Sequence, residues 1–180
     1  MVRLIGIAGL AGAGKDTVAD YLDTHYGFMR SAFADPLRHA AAAMFGIDAK
    51  YFHDRMLKEE PHPYWGMSPR RILQLLGNDA VKPVFGEDVW LKRWKLTYLL
   101  MADTDRVVVP DVRFDLEAGA IRELGGRVVH LIRPEAGLAG EAGAHVSEGG
   151  VTFVEGDYLL YNDGTIADLH DEIDLMLEAQ

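Results

Sequence analysis

Leu4-Ile5-Gly6-Ile7-Ala8 is a short apolar run without a polar interruption, the pattern of a strand buried on both faces. A glycine-rich turn follows over residues 9 to 14. Val18, Tyr21, Leu22 and His25 then recur at i, i+3, i+4 and i+7 and predict an amphipathic helix, which Gly27 is placed to stop. Residues 28 to 33 read as a second short strand. Asp35-Pro36 reads as an N-cap followed by proline at the first helical position, opening an alanine-rich helix over 37 to 45. Residues 48 to 66 carry Pro61, Pro63 and many charges without a period, and predict a mobile insertion of loops and helical turns.

Ser68-Pro69 opens another helix by the same capping logic; it is expected to run to Leu76, before Gly77. A third long helix is expected over 87 to 101, with acidic residues in its first turn. Val107, Val108 and Val109 form a β-branched strand that should end at Pro110-Asp111. Asp115 is placed to cap a helix ending near Gly125-Gly126, and 128 to 132 is the next strand. Residues 134 to 150 hold glycines and alanines without a period, which predicts a flexible segment. Residues 158 to 161 form a last strand. Thr165 and Asp168 resemble a capping box before a helix whose stripe is Ile166, Leu169, Ile173 and Met176. Strands alternating with helices predict an α/β layered fold, mostly parallel, in one domain of residues 1 to 180, with 48–66 and 134–150 as insertions on one core.

Composition narrows the chemistry. At 180 residues, about half hydrophobic and a quarter charged, the chain can bury a sizeable core. No apolar run reaches the roughly 18 residues of a membrane span, and the N-terminus leads into a strand pattern rather than a signal peptide. There is no cysteine, which excludes disulfides, thiolate metal sites and a cysteine nucleophile; a reducing cytoplasm is compatible. The formal net charge of -10 argues against a broad nucleic-acid surface. An anionic small substrate would have to be caught by local cations, and Arg70-Arg71, Lys92-Arg93 with Lys95, Arg113 and Arg133 are the candidates.

The sequence Gly9-Leu10-Ala11-Gly12-Ala13-Gly14-Lys15-Asp16-Thr17 lies between a predicted strand and a predicted helix. Backbone N–H groups of such a loop converge on phosphate oxygens, aided by the positive end of the helix. Lys15 would reach the β- and γ-phosphates. The general pattern asks for Ser or Thr directly after the lysine; here Asp16 stands there, so Thr17 is the candidate for the magnesium-side hydroxyl. The bland alternative is a βα turn that binds nothing.

Other positions carry two readings each. Arg70 and Arg71 fall in a helix's first turn, where the macrodipole disfavours cations by ~0.3–1 kcal/mol, so a bound anion would explain them; two solvated arginines would also do. Asp35 is a plain helix cap or a ligand-facing acid. Asp111 follows a strand at the end where α/β sheets place ligands, and could hold magnesium through water, with Arg113 on phosphate and Glu117 orienting either; a surface ion pair is the alternative. Arg133 opens the glycine-rich segment and could serve as a lid arginine. His145, Ser147 and Glu148 lack the partners of a hydrolytic triad. Trp90, Trp94 and Tyr98 share a helical face; core packing suits most of them, and one could stack on a base.

Taken in order, Gly9 to Thr17, Phe33-Ala34-Asp35-Pro36-Leu37, Ser68-Pro69-Arg70 with Leu75-Leu76-Gly77, Asp111-Val112-Arg113-Phe114 with Glu117, and His145-Val146-Ser147-Glu148 resemble the bacteriophage-type deoxynucleoside monophosphate kinases, within the nucleoside monophosphate kinase group. The resemblance spans nearly the whole chain. It implies a three-layer P-loop kinase fold with a five-stranded core, a substrate-binding region and a lid. It implies transfer of the γ-phosphate of ATP to a dNMP, with Mg2+. By that resemblance Lys15, Arg70, Arg113 and Arg133 are catalytic; Ala11, Gly12, Ala13, Gly14, Lys15, Asp16, Thr17 and Asn162 hold the donor nucleotide; Asp35, Arg38, Arg70, Gln74, Trp90, Asp111, Arg113 and Glu117 form the acceptor set; Thr17 and Asp111 face the metal. Its partners would be small nucleotides, with no nucleic acid and no membrane, in a possible homodimer in the (host) cytoplasm. A kinase for another phosphorylated acceptor, such as phosphomevalonate or dephospho-coenzyme A, or a regulatory ATPase, stays open.

Overall fold

A computed structural model describes residues 2–54, 56–101, 105–134, 136 and 150–178. They gather into two compact units, one from Met1–Ala32 with Met101–Gln180, the other Phe33–Leu100.

The first unit is a parallel sheet. Its strands are β1 (Leu4–Ala8), β2 (Phe28–Arg30), β3 (Arg106–Val112), β4 (Arg127–Ile132) and β5 (Tyr158–Tyr161), in the order β2-β3-β1-β4-β5. All four pairings are parallel. Central β1 is buried at every position, as its unbroken apolar run requires. Side chains alternate across a strand, so β1 serves two faces. Ile5 and Ile7 pack with Val18 and Leu22 of α1 (Lys15–Tyr26) and with Leu169 and Ile173 of α8 (Ile166–Glu178). Gly6 points the other way, where an added Cβ would lie 3.0 Å from Ile121 of α7 (Asp115–Glu123). Helices thus cover both faces, as expected.

Boundaries differ from the periodicity in instructive ways. β2 stops at Arg30 rather than Phe33. β3 does not end before Asp111 but carries Pro110 and Asp111 inside it and closes on Val112. Proline is tolerated in this interior strand because the pairing with β1 shifts there, Gly6 facing Val109 and Ala8 facing Val112. Asp115 is the first residue of α7, not its cap; its carboxylate instead accepts from the backbone N–H of Thr152 at 2.7 Å and its hydroxyl at 2.9 Å. The Thr165–Asp168 capping box forms as expected, with Asp168 Oδ2 accepting from Thr165 N at 2.7 Å and Thr165 Oγ1 from Asp168 N at 3.2 Å. In α8 the stripe is Leu169, Ile173 and Met176; Ile166 is exposed.

The second unit is helical: α2 (Asp35–Phe45), α3 (Lys50–His53), α4 (Pro69–Gln74), a π-helical stretch (Leu75–Val81), α5 (Lys82–Phe85) and α6 (Val89–Leu99). Ala41, Ile47, Phe52 and Ile72 form one core; Trp94 is buried between Phe33 and Tyr98. Ser68 caps α4 by accepting from Arg71 N at 3.3 Å, as its position predicts. Gly77 does not end the helix. It is buried within the π stretch, and a Cβ there would come within 2.7 Å of Leu37, so the position is small for packing. Asp35 is not the cap of α2: Ala34 is, and Asp35 pairs with Arg38 at 2.8 Å. The first turn of α6 has no acidic residue; Asp88 precedes it and pairs with Lys92 at 3.0 Å. The described residues of 48 to 66 hold one short helix between loops, the expected mix of loop and helical turn, organised by hydrogen bonds such as Gly66 N to His62 O at 2.9 Å.

Candidate active site

In a parallel sheet, loops at the carboxyl ends of the strands form the ligand edge. β1 runs there into the glycine-rich loop, β3 into Arg113, β4 into Arg133 and β5 into Asn162. Four of the predicted segments therefore share one edge of the first unit because strand order and direction put them there.

The loop's shape depends on what presses against it. A Cβ on Gly9 would sit 2.6 Å from the carbonyl oxygen of Leu131. Gly14 holds a left-handed φ of 103° and would meet Asn162 Nδ2 at 2.6 Å. The Asn162 amide donates to Ala13 O at 2.7 Å, so it braces the loop from behind. Sequence reasoning placed Asn162 on the donor nucleotide but missed this brace, which joins residues 149 positions apart. Lys15 Nζ donates to Gly9 O at 2.6 Å and to Leu10 O at 2.8 Å, an ammonium folded over the concavity of its own loop. Asp16 points away: its exposed carboxylate pairs with Arg30 of β2 at 2.5 Å, and Asp20 joins the same guanidinium. Thr17, half-buried in the first turn of α1, is the hydroxyl next in line. A cavity of about 230 Å3 opens beside the loop's brace, lined by Arg133, Pro134, Asn162, Asp163 and Gly164.

At the end of β3, Glu117 Oε2 accepts from the backbone N–H of Arg113 at 2.7 Å and of Phe114 at 3.2 Å. Burial pushes the Glu117 carboxyl up to about 7; the Arg113 N–H opposes that and the neighbouring Asp111 adds to it. The Arg113 side chain is exposed and Asp111 half-buried. Beyond this edge, Asp157 accepts from Arg122 at 3.0 and 2.6 Å and pairs with His130 at 2.9 Å. Burial raises the Asp157 carboxyl, but the hydrogen bonds from Arg122, Val154 N and His130 outweigh it and hold it below its ordinary value. No sequence pattern announced this network.

In the second unit the predicted acceptor residues fall on separate helices. Arg38 Nη1 donates to Asp35, while its buried Nε has no hydrogen-bond partner among the described residues. Trp90 Nε1 is likewise buried and unpartnered, beside Gly77. Gln74 is exposed at the end of α4. Arg70 is exposed and clamped by Glu59. Trp94 is buried in the core and stacks on half-buried Tyr98; Trp90 is half-buried, so of that stripe only Trp94 is a core residue. His145, Ser147 and Glu148 lie outside the described residues, as do most of residues 134 to 150.

No helix among the described residues is long and apolar enough to cross a membrane, and none of their His, Cys, Asp and Glu side chains form a cluster of three that would hold a metal unaided. The fold is shared with a Thermus thermophilus protein, TT1252 (TM-score 0.57, 19% identity, 99% of this chain and 97% of that one), and with a dephospho-CoA kinase from Campylobacter jejuni (TM-score 0.55, 17%, 99% and 96%). At those identities the likeness is one of P-loop kinase fold alone. In sequence, the chain is 34% identical to a protein of Acanthamoeba polyphaga mimivirus provisionally named a deoxynucleotide monophosphate kinase, over 94% of this chain and 93% of that one. It is 26% identical to the deoxynucleotide monophosphate kinase of Enterobacteria phage T4, over 96% and 97%. The family model for deoxynucleotide monophosphate kinase matches residues 57–173. A phosphate loop at the carboxyl edge of a parallel sheet, on a chain so matched along its length, places this protein in the deoxynucleotide monophosphate kinase family.

Proposed function

We propose that the protein transfers the γ-phosphate of ATP to a deoxynucleoside monophosphate, giving ADP and dNDP. Family membership supports the reaction class, and the phosphate loop with Lys15 at its mouth is the observation that carries it. An oxygen of the acceptor phosphate attacks the γ-phosphorus, and the bond to the β–γ bridging oxygen breaks. The acceptor oxygen is already an anionic nucleophile, so no general base is needed, and catalysis is positioning plus charge neutralisation. The loop's N–H groups and Lys15 take the donor phosphates, the ammonium exchanging its two loop carbonyls for phosphate oxygens. Asn162 holds the loop in shape, and the cavity it lines with Arg133 suits the donor nucleoside. Arg113 and Arg133 supply further positive charge at this edge.

Of the expected acceptor set, Asp35, Arg38, Arg70, Gln74 and Trp90 belong to the second unit, and Asp111, Arg113 and Glu117 to the first. Arg38 Nε and Trp90 Nε1 are buried donors without partners among the described residues, a costly state that a polar ligand or water relieves. Both belong to the predicted acceptor set, and with Arg70 they supply the planar donors a monophosphate and its base call for. Thr17 and Asp111 are oxygen donors of the kind magnesium accepts alongside nucleotide phosphates. Bound there, the ion would neutralise charge on the donor phosphates. A coupled ADP-release assay with Mg-ATP across dAMP, dGMP, dCMP, dTMP, the ribonucleotides and dephospho-coenzyme A tests the proposal. Turnover dependent on a dNMP is expected; silence with every dNMP sinks it.

A further inference from the structure

Arg70 is held more elaborately than an exposed arginine needs. Its Nε lies 2.8 Å from both carboxylate oxygens of Glu59, and its Nη2 lies 2.6 Å from Oε1. This uses one side of the guanidinium. Arg carries five N–H donors; two on Nη1 and one on Nη2 remain, and one from each nitrogen forms the forward edge of the fork. No partner for Nη1 occurs among the described residues.

Glu59 is itself placed by a built turn. Asp54 Oδ1 accepts from the backbone N–H of Met56 at 2.8 Å and of Leu57 at 2.9 Å. Glu59 N donates to Met56 O at 3.1 Å and Lys58 N to Asp54 O at 3.1 Å. The turn is then tied to α4, because Arg70 N donates to Lys58 O at 2.9 Å. Backbone and side chain of Arg70 are thus both fixed to the same few residues. An ion pair that is half exposed adds little stability, so its cost in ordered side chains needs another return.

We infer that Glu59 is a positioning residue for acceptor binding: it grips the Nε side of Arg70 and presents the Nη1–Nη2 edge to the phosphate of the incoming monophosphate. The inference rests on the proposed dNMP kinase reading, in which Arg70 meets that phosphate. The carboxylate orders a long side chain before substrate arrives, so binding loses less rotamer freedom. It also leaves open the pair of N–H groups that matches a phosphate bidentately. The opposite arrangement, a carboxylate that occupies the phosphate's place and must be displaced, predicts the reverse effect on affinity.

The test is steady-state kinetics of Glu59→Ala, Glu59→Gln and Arg70→Ala, with the dNMP that the wild type uses best, alongside thermal melting. Removing the carboxylate should raise KM for the dNMP about two- to fivefold, with KM for ATP and the melting temperature little changed. Glu59→Gln keeps an acceptor for Nε and should recover part of the loss. Arg70→Ala should raise the same KM by about tenfold or more. A fall in KM for Glu59→Ala overturns the inference in favour of competition, and an unchanged KM overturns it outright. If Arg70→Ala leaves dNMP kinetics intact, Arg70 is not the phosphate contact and the inference falls while the kinase reading stands. A wild type without dNMP turnover overturns both.

Discussion

On the proposed reading the two units meet the same task, holding a phosphate, by different means. In the glycine loop the proposed ligating groups are successive backbone N–H groups, with Lys15 of the same loop folded onto Gly9 and Leu10. In the helical unit the candidate groups are side-chain cations that lie on different helices, each steadied by a carboxylate, Arg38 by Asp35 and Arg70 by Glu59. The first device depends on backbone shape and tolerates almost no change in side-chain volume. The second depends on charge and tolerates changes in backbone detail. A loop of the first kind contacts phosphates, which every nucleoside triphosphate shares, whereas scattered side chains can be tuned to one acceptor.

That contrast can be broken at four places. The largest effect is expected for Lys15→Ala: kcat should fall about 10²- to 10³-fold, as on removal of a preorganised oxyanion donor, while dNMP binding in a direct titration is retained. Loss of dNMP affinity in that variant would mean that the two devices are not separable. Arg38→Ala comes next. It removes the Asp35 pair and one of the two unpartnered buried donors, and should raise KM for the dNMP about tenfold with KM for ATP unmoved. Gly14→Ala follows: a left-handed φ costs a β-carbon about 1–2 kcal/mol, and the Asn162 amide stands in its way. A lower melting temperature and weaker ATP binding are expected, and a wild-type melt would show that the loop is less constrained than its packing suggests.

The smallest effect concerns Glu117. The folded state holds this carboxyl's proton more tightly than the unfolded chain does, with a pKa of about 7 against the ordinary 4.5. Its stabilising contribution is therefore full below about pH 4.5 and is lost as pH rises through about 7. Glu117→Gln keeps an acceptor for the Arg113 and Phe114 N–H groups and cannot ionise. The variant's melting temperature relative to wild type should rise by a few degrees between pH 5 and pH 8. A difference that stays constant across that range would place the Glu117 titration elsewhere.

What the chain determined locally is what local rules can reach. The run from Leu4 to Ala8, the glycine loop with its lysine, the stop at Gly27, the Ser68 cap and the Thr165–Asp168 box all depend on residues within a few positions of each other. Sheet type also followed from the alternation of elements. Where expectation failed, a distant partner had intervened. Asp35 and Asp115 look like caps, but Arg38 and Thr152 claim their carboxylates. Gly77 looks like a helix end but is small to let Leu37 pack against a π-helical turn. Pro110 looks like a strand end but occupies a register shift against β1. Asn162 is expected on the donor nucleotide, but its place behind Ala13 depends on β5 delivering it there. Periodicity and capping report short-range geometry and hydrophobic phase. Which carboxylate meets which arginine, and what fills the space beside a glycine, depend on strand order and helix packing, and only the tertiary structure decided those.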